Sequence, residues 1–301
     1  MASISSLRAL TQLDEMRAAV ELQRSYWGDD LESVIPAHML FSLATSGGHV
    51  LAAFDGDQMV AILVGFLGTN HEEANQIEVE DLQIYSKRMI VLPEYRGNGV
   101  GYKLKKRQRE IALRQGVRLI TWTFDPLLAM NAHLNIRKLG AISNIYLENY
   151  YGVLEEGRLS RLGSSDRLKA EWWITNRRVE AKFNRTRGDI RLEQYLEAHT
   201  PILNTTQIDA DGYPVPSDHI LDPSGTLALL EIPAHYEELM NQHEILAKSW
   251  RVHTREAFMF LFSKGFVVTD FVREHFEGTD RAFYLLSQGD KVFERVDLRQ
   301  N

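Results

Sequence analysis

The 301-residue chain contains no cysteine. Disulfides, thiolate metal sites and cysteine nucleophiles are thereby excluded, and the composition suits a reducing cytosol. No apolar run reaches the ~18 residues that a membrane helix needs. VAILVGFLG, at 60–68, is short and reads as a buried strand. The opening MASISSLRALTQLDEM has no long apolar segment behind its charge, so no signal peptide is expected. The histidines form no H-E-x-x-H and no close triplet with carboxylates, so no metal is expected. Bases are outnumbered as well: 34 Lys and Arg against 41 Asp and Glu leave a net charge of −7. With no basic patch interleaved with aromatics, a nucleic-acid partner is not expected. The expectation is a cytoplasmic protein without a membrane partner.

What is present fits a soluble globular chain, 44% apolar and 25% charged. Its length suggests about two domains. Thr11 and Asp14 read as helix-starting residues, and Leu13, Met16, Val20 and Trp27 follow at helical spacing up to Gly28. A second helix is expected over 35–48. A hairpin with an Asp-Gly turn follows over 49–66, then a polar loop (68–81) and a strand (82–92). Gly101–Gln115 predicts a helix, 117–126 a strand, and the segment after Pro126 a short helix closed by Gly140. Strands are expected at AISNIYLENYYG and over 166–179. Residues 204–225, with Pro214, Pro216 and Pro223, read as a long loop. A strand, two helical stretches and two strands follow. KLGAISNIY (138–146) and SKGFVVTDF (263–271) each set a glycine between a helix and a strand, a faint internal echo.

The stretch LPEYRGNGVGYKLKKRQRE (92–110) stands out in an acidic chain. A strand ends at Leu92, and Pro93 stops its ladder. Gly97, Gly99 and Gly101 let the backbone pass close to another molecule. A helix then begins, with its unpaired N–H groups and positive dipole end at the same place. Arg96 adds a fixed charge. The group suits a phosphate or pyrophosphate; the plainer alternative is a tight turn without a ligand. Neither the P-loop pattern nor the dinucleotide fingerprint fits the spacing. Lys103, Lys105, Lys106, Arg107 and Arg109 read as a solvated face, with Val100, Leu104 and Ile111 turned inward.

The pattern R-x-x-G-x-G, written here Arg96-Gly97-Asn98-Gly99-Val100-Gly101 after V-x-P-x-x-R, resembles the acyl-CoA loop of the GNAT N-acetyltransferase superfamily. The order of elements over roughly residues 5–180 resembles it also, and Asn131 and Lys138-Leu139-Gly140 look like that family's usual helix after the second core strand. The resemblance implies an α/β fold, a mixed sheet flanked by helices, in a domain spanning 1–180. A C-terminal α/β domain (181–301) is expected beside it, either a degenerate half-repeat of the first or an unrelated addition. The implied activity moves an acyl group, acetyl or succinyl, from acyl-CoA to the amine of a small molecule or amino acid. The alternative is an acyl-CoA-binding sensor or scaffold without turnover.

The resemblance also implies roles. Met89, Ile90 and Val91 would edge a gap that holds the pantetheine arm, and an N–H there would polarise the thioester carbonyl. The pyrophosphate would lie on Gly97–Gly101, and Asn131 would bind pantetheine or cap structure. Glu80 and Glu78 are candidates for taking the amine's proton, against the plainer reading of loop surface charge. Tyr146, Tyr150 and Tyr151 are candidates for protonating the leaving thiolate, or else core aromatics. Relatives often carry a tyrosine for that step four residues before the closing glycine; here it is Ile136, and Ala141 stands where phenylalanine is frequent. Trp27 and Asp29 would hold the acceptor amine, or else complete and cap a helix. Arg177, Arg178, Arg185 and Arg187 could bind a carboxylate, though a solvated basic face is the plainer reading. A homodimer is a further partner to consider.

Overall fold

A computed structural model describes residues 3–28, 33–69, 81–152, 164–184, 188–210 and 212–288. The chain packs as two compact units, Met1–Trp122 with Glu171–Glu180, and Thr123–Ala170 with Ala181–Asn301.

The first unit begins with β1 (Ser6–Ala9), α1 (Leu13–Trp27) and α2 (Ala37–Thr45), then β2 (His49–Asp55), β3 (Gln58–Thr69) and β4 (Leu82–Val91). α1 is opened by Gln12 rather than Thr11, because the Glu15 carboxylate reaches back to the Thr11 and Gln12 amides at 2.9 and 3.1 Å. A single 3-10 turn (Pro93–Tyr95) leads into α3 (Val100–Arg114) and β5 (Leu119–Phe124). Strands β6 (Tyr146–Leu147) and β7 (Arg167–Trp173) complete a sheet of order β1-β2-β3-β4-β5-β7-β6.

β2 and β3 are apolar on both faces because helices cover both. Val50, Ala52, Ile62, Val64 and Ile90 join Met16, Ala19, Leu22 and Leu40 on the α1–α2 side. Leu51, Ala53, Val60, Ala61 and Leu63 join Val100 and Leu104 on the α3 side.

In the second unit, α4 (Ala129–Ala132) runs on as a π-helical stretch, His133–Lys138. Then come α5 (Arg177–Phe183), α6 (Leu192–Glu197), a small hairpin of β8 (Gln207–Ile208) and β9 (Pro214–Val215), β10 (Leu227–Ile232), α7 (Tyr236–Gln242), α8 (Glu244–Ser263), β11 (Phe266–Phe276) and β12 (Thr279–Gln288). Three expectations are corrected here. The strand expected over 166–179 ends at Trp173, and Arg177 and Arg178 start a helix. The loop at 204–225 contains the β8–β9 hairpin. The strand expected within 141–152 shrinks to two residues, Tyr146 and Leu147.

β10, β11 and β12 form a separate antiparallel sheet of order β10-β12-β11. Strand, helix, strand, strand, with the last strand in the middle, is also the order of β5, α4, β6 and β7. Gly140 and Gly265, at φ 76° and 81°, occupy matching places. Three residues beyond each, Ser143 and Val268 exchange backbone hydrogen bonds of 3.3 and 2.8 Å as an antiparallel bridge. Inside this unit a buried pair joins Arg251 to both oxygens of Asp125 at 2.8 Å. Four residues along α8, Arg255 clasps both oxygens of Asp166 at 2.9 and 3.0 Å.

Candidate functional site

β4 and β5 are parallel neighbours only from Gln83–Leu119 to Tyr85–Thr121. The Thr121 hydroxyl donates to Gln83 Oε1 (2.8 Å) within that joint. On the other flank, β3 stays paired with β4, but Val64 faces Arg88 while Phe66 faces Tyr85. Gly65 therefore stands against two residues, Ser86 and Lys87, which makes a β-bulge on β4. The extra residue changes which side chains share a face. Ser86 points to the α3 side, as do Met89 and Val91 beyond the bulge, whereas Ile90 packs with α1 and α2.

Past the bulge β4 continues without a β5 ladder. Leu92 N–H donates to Val60 O (3.0 Å), so by strand alternation the peptide groups of Met89 and Val91 face away from β3, toward the side that β5 has left. Of the three edge residues expected, Met89 and Val91 thus present backbone groups there, and Ile90 presents them to β3.

The loop after β4 is fastened at its start. Tyr95 OH donates to Asp55 Oδ2 at 2.8 Å. Arg96 donates through Nε to Val91 O (3.1 Å), with its guanidinium 5.3 Å from the Tyr26 ring centre. Gly97 and Gly99 have φ of 76° and 74°, and a Cβ on either would meet nothing within 4 Å. Conformation, not crowding, makes them glycine. Gly101 lies in the first turn of α3. Lys103 N–H donates to Gly99 O (3.0 Å) at the start of the helix, so the loop leads straight into the N-terminal turn of α3. No acidic side chain occupies that turn. The loop, the glycines and a helix start without competing carboxylates are arranged as an anion cradle.

α3 itself departs from expectation. Lys103 and Lys106 are exposed, but Lys105 is buried, 2% exposed, so the reading of a wholly solvated basic face is corrected. Its ammonium donates to Ser86 Oγ (2.8 Å) and Gln108 Oε1 (3.3 Å) and lies 3.5 Å from the Trp122 ring centre. Burial pushes it well below the usual lysine value. Arg109 is half-buried and donates twice to Ile174 O. The charge pattern of α3 reads as surface because lysine is seldom buried; Ser86 on β4 and Trp122 on β5, distant in sequence, supply its polar and aromatic partners.

The other candidates fall in different places. Glu78, Glu80, Asp29, Arg185 and Arg187 lie outside the described residues. Trp27 packs its ring edge-on to Tyr26 beside Arg88, with Nε1 buried and without a partner among the described residues. Asn131 is exposed on α4. Tyr146 donates to Asp166 Oδ2 (2.7 Å), and burial followed by that bond pushes its phenol far above the ordinary value. A phenol so held is a poor proton donor to a thiolate. Tyr151 is 39% exposed with its ring beside Arg167, and Ile136 is fully buried.

Residues 14–140 match the model of the acetyltransferase (GNAT) family. Over these residues the chain is similar to the GNAT acetyltransferases. The match ends on Gly140, the residue that closes α4, and includes β4, the glycine loop and α3. No curated protein matches the chain. Among solved structures, this chain is similar to the NatC complex bound to Gag peptide and CoA, at 17% identity over 56% of this chain and 98% of that one, TM-score 0.43. It is similar to the ribosomal-protein-S18-alanine N-acetyltransferase of Escherichia coli, at 15% identity over 57% and 94%, TM-score 0.42. It is also similar to Arabidopsis thaliana NAA60 in complex with a bisubstrate analogue, at 12% identity over 56% and 97%, TM-score 0.45.

Proposed function

We propose that the protein is an acyl-CoA-dependent N-acyltransferase that acylates the amine of a small molecule or amino acid. The observation that carries this reading is the parting of β4 from β5 directly before a glycine loop that opens α3. Pantetheine lies along the vacated edge of β4, taking hydrogen bonds from the Met89 and Val91 peptide groups as a missing strand would. The pyrophosphate sits on Gly97–Gly101, and Arg96 turns from Val91 O to the phosphates. Asn131 holds pantetheine. An edge N–H polarises the thioester carbonyl as the neutral amine attacks. The C–S bond breaks as the amide forms, and the amine's proton passes to Glu80 or Glu78. Tyr151, rather than the bound Tyr146, protonates the departing thiolate. Trp27 and Asp29 hold the acceptor, and residues 1–180 are the catalytic domain.

Calorimetric titration with acetyl-CoA and succinyl-CoA tests the donor, beside an Arg96→Ala, Gly101→Glu control. CoA release with amines, amino acids and short peptides tests the acceptor. Binding lost in the control, together with amine-dependent release, is expected; absence of binding to either donor overturns the reading. The second reading, an acyl-CoA-binding module without turnover, is favoured by buried Ile136 at the place of the family's usual tyrosine. Donor binding without release on any acceptor would select it.

A further inference from the structure

The Lys105 network lies directly beneath the bulge of β4, and its polarity is fixed step by step. An ammonium only donates, so Gln108 must turn its Oε1 toward Lys105. The Gln108 amide N–H then faces His49 Nε2, 2.8 Å away, which must accept. The His49 proton is left on Nδ1, buried and without a partner among the described residues. The chain Ser86–Lys105–Gln108–His49 thus crosses from β4 through α3 to β2.

Gly65 makes the crossing possible. A Cβ there would stand 2.5 Å from His49 Nε2 and 2.6 Å from Gln108 Nε2. Gly65 is also the residue facing the two bulged positions, and it pairs with His49 in the β2–β3 register. One glycine therefore serves both the bulge and the polar chain. A lysine buried among a hydroxyl, an amide and an indole face has no carboxylate among its partners in the described residues. Such a group is costly for stability, since an apolar side chain of similar volume would suit the position as well. Its hydrogen bond falls on Ser86, the first residue after the last β4–β5 pair.

We propose that Lys105 and Ser86 are positioning residues for acyl transfer: they pin the β4 bulge from below and so fix the direction of the Met89 and Val91 peptide groups toward the acyl thioester. The inference rests on the acyltransferase reading. It concerns the aim of the carbonyl-polarising N–H, not the affinity of the phosphate cradle, which lies further along the chain.

The test uses the full chain with Ser86→Ala, Ser86→Thr and Lys105→Met. Infrared difference spectra of bound [1-13C]acetyl-CoA read the thioester carbonyl, calorimetry reads affinity, and hydrogen exchange without ligand reads the amides of 84–91. In the wild type the bound carbonyl stretch is expected below its solution frequency. Ser86→Ala and Lys105→Met should lose that shift while acetyl-CoA affinity stays within about a factor of three. Ser86→Thr, which keeps the hydroxyl, should retain it. Exchange at 84–91 should quicken in the first two variants without a comparable change elsewhere. Should Lys105→Met fail to fold, the two Ser86 variants decide. A shift kept in Ser86→Ala, or none in acetyl-CoA-bound wild type, overturns the inference. Should the wild type bind no acetyl-CoA, the acyltransferase reading falls instead, and unchanged exchange in Ser86→Ala would then separately remove the pin.

Discussion

Gly99 and His49 illustrate how single residues carry opposite burdens. Gly99 holds a left-handed φ of 74° with open space around it. Gly99→Ala should cost about 1 kcal/mol of stability from conformation alone, measurable by urea unfolding. His49 is buried, and burial followed by the nearby Lys105 charge pushes its pKa down to about 4 from 6.5. The folded state therefore disfavours the proton that the unfolded chain accepts below 6.5. The stability tied to neutral His49 is fully present above pH 6.5 and is lost as pH falls through the window to about 4, on the order of 3 kcal/mol. His133, held down to about 4 chiefly by burial, acts in the same window. His49→Gln should make the rise of stability between pH 4 and 6.5 shallower by about one proton's worth, read from unfolding curves at stepped pH. No local pattern marks His49, since a lone histidine at a strand start carries no information about what lies beneath it.

Among the elements, α3 and α8 each do a task that their amphipathic patterns conceal. α3 opens straight from the glycine loop and reaches β4 through the Lys105–Ser86 hydrogen bond. Arg96→Ala should weaken acetyl-CoA binding by about tenfold, the scale of one charge-assisted hydrogen bond, while leaving the unfolding midpoint close to wild type. α8 holds Asp125 and Asp166 with Arg251 and Arg255, one helical turn apart. Arg251→Met leaves the buried Asp125 carboxylate with only the Leu127 amide at 2.9 Å and Arg167 at 3.7 Å, so a loss of about 3 kcal/mol is expected by chemical denaturation. Strand-helix-glycine punctuation made β4, the loop, α3 and the helix closed by Gly140 legible in the sequence. The two short helices α5 and α6 were not legible, because their few turns give little periodicity and their apolar residues are chosen by the sheet they cover. Leu192 and Tyr195 of α6, for instance, join Leu229, Val272 and Phe283.

For the whole molecule, the second unit takes Thr123–Ala170 together with Ala181–Asn301. Arg251–Asp125, Arg255–Asp166 and the Tyr284 hydroxyl on Pro126 O (2.7 Å) tie these two stretches. A chain ended at residue 180 should therefore lose cooperative thermal unfolding, although it retains the whole family match; circular dichroism on heating checks this. Within the second unit, Ser143 and Val268 of the two glycine-punctuated segments form an isolated antiparallel bridge. No helix among the described residues is long and apolar enough to cross a membrane.

The sequence by itself determined the alternation of strand and helix, the left-handed glycines of the loop, the absence of thiol chemistry and the helix start that follows that loop. These are local properties, set by φ preferences, side-chain inventory and periodicity within a dozen residues. Tertiary structure alone decided where β4 parts from β5, that Lys105 is buried while Lys103 and Lys106 stay in water, and that Tyr146 is spent on Asp166. Each of these depends on partners brought from distant positions: Ser86 and Trp122 for Lys105, Asp166 for Tyr146. A bulge is an extra residue counted against a neighbouring strand, and a strand's register exists only once the neighbour is in place.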